Sequence, residues 1–168
     1  PIASTAPTAA TTETTVTTTE AVSFTDRVLQ TEDGVQIVGV PHLAQSRKYA
    51  TACESLAAVE LLQYYGIEID VDAFIEQYLP VADYPGQGED GELHAESPWD
   101  YFIGDPSKSN GYGCYSGAIV TAMNAMVPDL AIGLEGVSLE ALCETYIDRG
   151  EPVMLWATID MAETREGH

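Results

Sequence analysis

The chain of 168 residues is long enough for one domain with a buried core, and its 45% hydrophobic content fits a globular protein. Asp and Glu number 27 against 6 Lys and Arg, a formal net charge of -21, which repels phosphate backbones and anionic lipid heads. Nucleic-acid binding and membrane-surface binding are therefore excluded as expectations, and no run approaches the roughly 20 apolar residues of a membrane span.

The first 24 residues, "PIASTAPTAATTETTVTTTEAVSF", are rich in Thr, Ala and Pro and poor in large apolar side chains. Such a segment buries too little surface to offset its ordering entropy, so a disordered tether is expected over 1–24 and a folded domain over 25–168. Thr-rich stalks are typical of secreted and surface proteins, so the expected location is extracellular or at the cell surface, after removal of a signal peptide.

Along the folded part, "VQIVGV" predicts a strand from Val35 to Val40, ended by Pro41. A helix follows in "YATACESLAAVELLQYYG": Ala58, Leu61, Leu62 and Tyr65 form one apolar stripe, and Gly66 supplies the stop. Thr51 and Glu54 stand in the T-x-x-E capping-box pattern at its start. A second helix, "DVDAFIEQYL", opens at a capping Asp and ends before Pro85. From Ala82 to Gly113 periodicity disappears into Gly, Pro, Asp, Ser and Asn, which predicts a long ordered loop packed by its own aromatics. Trp99, Tyr101 and Phe102 of that loop, with Trp156, either line a groove or anchor the loop to the core.

Ser116 is the expected cap of a third helix, and Ser138 of a fourth whose buried stripe would be Leu139, Leu142, Cys143 and Tyr146. Gly150 and Pro152 terminate that helix, and Val153 to Ile159 reads as a buried strand. Helices gathered between two strands predict an α+β domain. The last strand cannot satisfy its own backbone, so its expected partner is either Val35–Val40 or sequence beyond residue 168.

Cys53 is the residue with the most chemical promise. In the first turn of its helix it lies near unsatisfied amides and the positive end of the dipole, which favour the reactive thiolate. Arg47 and Lys48 upstream work in the same direction, and Glu54 works against it. A Gln amide such as that of Gln45, a short loop upstream, supplies half of an oxyanion hole, and the Cys53 N–H supplies the other half. The opposing reading is a buried, inert cysteine.

Three blocks, "VPHLAQ…YATACESLAAVELLQYYGIEIDVDAFIEQYLP", "FIGDPSKSNGYGCYSGAIVTAMN" and "SLEALCETYIDRGEPVMLWATIDM", resemble in order and spacing the bacterial papain-fold cysteine peptidases of the bacteriocin-processing, double-glycine type. The resemblance spans most of residues 35 to 161. It implies a papain-like α+β fold, Cys53 as nucleophile, Gln45 as oxyanion donor and a peptide or protein substrate. Ala52 stands where such proteins usually have Gly. Their general base is a His on a strand after the block matching "WATI", followed by Asp or Asn, and no residue here matches that segment. The expectation is a domain incomplete at its C-terminus: a helical half and the start of an antiparallel sheet.

His42, His94 and His168 are poor substitutes for that base, by position at a strand-to-loop junction, in the long loop and at the terminus. No calcium, zinc or phosphate-loop pattern is present, and no cofactor is expected. Cys114 and Cys143 are expected either as a disulfide between packed helices or as separately buried thiols. The competing functional reading is a non-catalytic surface module that uses the fold to bind a peptide or wall polymer.

Overall fold

The computed structural model describes residues 24–32, 34–158 and 162. Most of the expected tether, Ile159 and His168 lie outside these residues. Among the described residues the architecture is α+β, with four α-helices and three separate two-stranded sheets.

Helix α1 (Cys53–Tyr64) is the centre of the molecule. Leu56, Ala58, Val59 and Leu62 are almost fully buried, along with Ser55 and Tyr64, so the helix is covered on more than one face. The predicted stripe is correct for Ala58 and Leu62, whereas Leu61 and Tyr65 are half-buried. Its end follows from Gly66 in the left-handed region (φ +80), with Gly66 N–H donating to Gln63 and Ile67 N–H to Leu62. These two bonds form a Schellman motif that satisfies carbonyls the helix would leave open.

Helix α2 (Val71–Gln77) begins where Asp70 accepts from the Ala73 N–H at 2.8 Å, the expected cap, and buries Val71 and Phe74 against α1. Helix α3 (Ser116–Met126) contributes Ala118, Ile119, Ala122 and Met123 to the same core. Its N-cap is Tyr115, whose side chain makes no cap bond, so Ser116 is the first helical residue rather than the cap. Position is set instead by tertiary contact: Tyr115 N–H donates to Pro98, and Gly117 passes so close to the Trp99 carbonyl that a Cβ would lie 2.3 Å from it.

The N-terminal strand is shorter than expected and differently partnered. Strand β2 (Gly34–Ile37) pairs antiparallel with β1 (Val28–Thr31), a strand with no clear apolar alternation in sequence. Phe24 stacks on Tyr64, and the Arg27 guanidinium lies over both rings and donates to the Tyr64 carbonyl. The long loop holds β3 (Val81–Ala82) parallel to β6 (Phe102–Ile103), and a hairpin of β4 (Gly86–Gln87) with β5 (Leu93–His94). Pairs of two residues are too short to carry a period. Phe102 and Ile103 are buried and anchor the loop, as composition suggests.

Helix α4 (Leu139–Thr145) is capped by Ser138, which accepts from Ala141 N–H, as expected. Its stripe is not buried: Leu142 is, but Leu139 and Cys143 are exposed. Gly150 then turns the chain at φ +78, where a Cβ would meet the Phe24 carbonyl at 2.2 Å. Residues 151–158 form no strand, because no described backbone pairs with them, and β2 pairs with β1 instead. All three cysteines are free, so Cys114 and Cys143 form no disulfide, and of the two only Cys114 is the buried thiol of the alternative expectation, Cys143 being exposed.

Candidate active site

Cys53 is the first residue of α1 and is exposed. The chain reaches it through a 3-10 turn, Arg47–Tyr49, capped by Ser46. Gln45 closes this turn from inside: its Nε2 donates to the Tyr49 carbonyl at 2.8 Å and the Ala50 carbonyl at 3.1 Å. Gln45 therefore fixes the approach to the cysteine, with both amide hydrogens held by backbone.

The capping box does not form. The N-cap is Ala52, and no described side chain caps the helix. Thr51 and Glu54 are drawn instead to the loop 105–114, whose carbonyls and amides compete successfully for them. Thr51 N–H donates to Pro106, and its hydroxyl donates to Lys108 at 2.9 Å. Gly111 permits this approach, since a Cβ there would lie 2.3 Å from the Thr51 hydroxyl. The loop is organised by Asp105, which accepts from the Ser107 hydroxyl and N–H and pairs with Lys108. The Ser107 bonds, then Lys108, hold the Asp105 carboxyl down at about 2.

Glu54 is half-buried and touches both sides of the site. Its Oε2 accepts from Cys53 Sγ at 3.2 Å, and its Oε1 accepts from the Cys114 N–H at 3.1 Å. The consequence for the sulfur runs against the thiolate expectation. Desolvation, then the Glu54 carboxylate, push the Cys53 thiol up, and the helix amides only partly offset them. Cys114 is pushed up further, by burial first and then by Glu54 and Cys53.

The upstream cations do not help either. Lys48 pairs with Asp72 and lies over the Tyr49 ring, while Arg47 lines a shallow groove of about 480 Å³ with Ala50, Ser107, Lys108, Ser109 and Asn110. A larger cavity of about 550 Å³ lies along α3 and is lined by Trp99, Tyr115, Leu134 and Trp156, among others. Trp99 packs against Tyr115 with ring centroids 4.9 Å apart, and Trp156 Nε1 donates to the Cys114 carbonyl at 3.0 Å. Trp99 and Trp156 are thus wall rather than core, and Tyr101 is also exposed.

Neither described histidine is bonded to Cys53. His42 faces Glu60 at 3.4 Å, and His94 pairs with Asp90 in the hairpin β4–β5. Among the described residues, no group of three or more His, Cys, Asp or Glu is arranged to hold a metal ion, and no helix is long and apolar enough to cross a membrane. Sequence reasoning named Glu54 as acting against the thiolate but missed Cys114 and the bond by which Glu54 holds its amide. The signal available was the pair of glycines flanking Tyr112 in "GYGC", which let backbone come close to a partner.

No curated protein and no solved structure matches this chain. Residues 37–168 match the sequence model of the Peptidase_C39 like family. That match takes in Gln45, Cys53, Glu54 and the loop 105–114, so the chain belongs to the Peptidase_C39 like family and its folded part is a cysteine-peptidase-like α+β domain.

Proposed function

We propose that this domain is a papain-like thiol hydrolase that cleaves peptide bonds through Cys53, with Gln45 steadying the oxyanion. The observation that carries the reading is an exposed cysteine at the first position of the central helix, reached through a turn that Gln45 holds. The sulfur gives its proton to a base and attacks the scissile carbonyl. The oxyanion forms beside the Cys53 N–H and a Gln45 N–H released from the Ala50 carbonyl. Collapse expels the amine, which takes the proton from the base, and water then hydrolyses the thioester. Because the resting sulfur is held as a thiol, the base is essential, and the family resemblance assigns that role to a His.

We further propose a peptidase of the bacteriocin-processing type, exported and tethered at the surface by the Thr-rich segment 1–24. A second reading, a non-catalytic module binding peptides, is favoured by one observation: the raised Cys53 thiol with no histidine bonded to it among the described residues. The test is peptide hydrolysis by the full-length protein and by Cys53→Ala. Loss of hydrolysis in the variant supports the enzyme. Equal activity in both rules out this nucleophile, and binding without cleavage in both selects the module.

A further inference from the structure

We propose that Glu54 is the positioning residue of the Cys53 site: one side chain holds the nucleophilic sulfur with one oxygen and the Cys114 amide with the other, setting the loop 105–114 against the start of α1. This inference rests on Cys53 being the nucleophile. The geometry is bidentate across two elements, 3.2 Å to Cys53 Sγ and 3.1 Å from the Cys114 nitrogen. A glycine makes room for it. At Gly113, φ is +106, and a Cβ there would lie 2.5 Å from Glu54 Oε1, so only a residue without a side chain lets this backbone approach the carboxylate.

Thr51 makes a second, independent attachment from the same helix end to Pro106 and Lys108. The loop is therefore fastened at two points on either side of Cys53. The chemical consequence follows from charge. A thiol can donate to a carboxylate, but a thiolate at the same place faces a like charge, so Glu54 stabilises the protonated resting state. The titratable groups facing the sulfur are Glu54 on its own helix and Cys114 on the opposing loop. On that loop Asp105 and Lys108 neutralise each other. Glu54 thus orients the nucleophile while leaving its activation to the base.

The test is the pH profile of Cys53 alkylation by iodoacetamide, followed by peptide mass mapping of the intact protein, in wild type, Glu54→Gln and Glu54→Asp. Glu54→Gln removes the charge at the same size, so the midpoint of its profile falls below the wild-type value. At any pH below both midpoints, alkylation then accelerates by about threefold for every pH unit by which the midpoint drops, the tenfold gain in thiolate being partly offset by its weaker nucleophilicity. Glu54→Asp keeps the charge but is too short to span both partners, so proteolytic cleavage within 105–114 accelerates. Gly113→Ala, which leaves Glu54 in place, produces the same loop cleavage and serves if Glu54→Gln fails to fold. An unchanged alkylation profile in folded Glu54→Gln, or wild-type loop protection in both Glu54→Asp and Gly113→Ala, overturns the proposal. Failure of the nucleophile reading looks different: hydrolysis survives in Cys53→Ala while the Glu54 effects on alkylation and loop protection persist.

Discussion

The two ends of helix α1's neighbourhood are built on opposite principles. Around Cys53, backbone amides, a threonine hydroxyl and a glutamate carboxylate stitch the loop 105–114 to the helix, beside the buried Ala52 and Cys114. Elsewhere, α4 and residues 151–155 carry abundant apolar side chains, yet Leu139 and Leu155 remain exposed. Polar matching gives the first region one defined arrangement, whereas apolar character without a described strand partner gives the second none of the pairing its sequence promises. Hydrophobic patterning states that a segment prefers cover; it does not supply the cover.

Substitutions separate the buried α1–α2–α3 core from the second region by magnitude. Phe74 lies wholly inside the α1–α2–α3 core, and Phe74→Ala should destabilise by about 3–5 kcal/mol in urea unfolding. Gly117→Ala forces a Cβ onto the Trp99 carbonyl and should cost about 1–3 kcal/mol by the same measurement. In the second region the change is mild: Leu155→Ala should stay within about 0.5 kcal/mol of wild type. A large loss at Leu155 would show that this segment has cover.

Smaller effects sharpen the polar side. Asp70→Ala removes a formed cap and should cost about 1 kcal/mol, measured as a shift in the unfolding midpoint. For Asp105, whose folded carboxyl is held at about 2, the sign is that of a depressed acid. Its contribution to loop order is fully present above the ordinary Asp value of about 3.9 and is lost as pH falls toward the folded value. The protection of 105–111 against hydrogen exchange, taken relative to the intrinsic rate at each pH, should fall through that interval, and Asp105→Asn should remove that fall.

Much of the core was legible in the sequence because it is local. Asp70 and Ser138 cap as their positions predict, and Ala58 and Leu62 fall on the buried side. What could not be read was competition. Thr51 and Glu54 fit a capping box, but they are taken by carbonyls and an amide more than fifty residues away in the chain. No window on the sequence weighs those partners against a local bond. The same limit bears on Cys53: its helix position argues for a thiolate, and Glu54, held by the amide of a distant loop, works against it. Cys143 fits a helical stripe of which only Leu142 is buried among the described residues.

Covalent chemistry at a single sulfur is what separates a hydrolase from a binding module here. Incubating the full-length protein with a cleavable peptide, quenching in acid and mapping the mass of the Cys53 peptide tests it most directly. An acyl adduct on Cys53, absent from Cys53→Ala, is the predicted result. Turnover of the peptide with Cys53 unmodified, continuing at the same rate in Cys53→Ala, would contradict it.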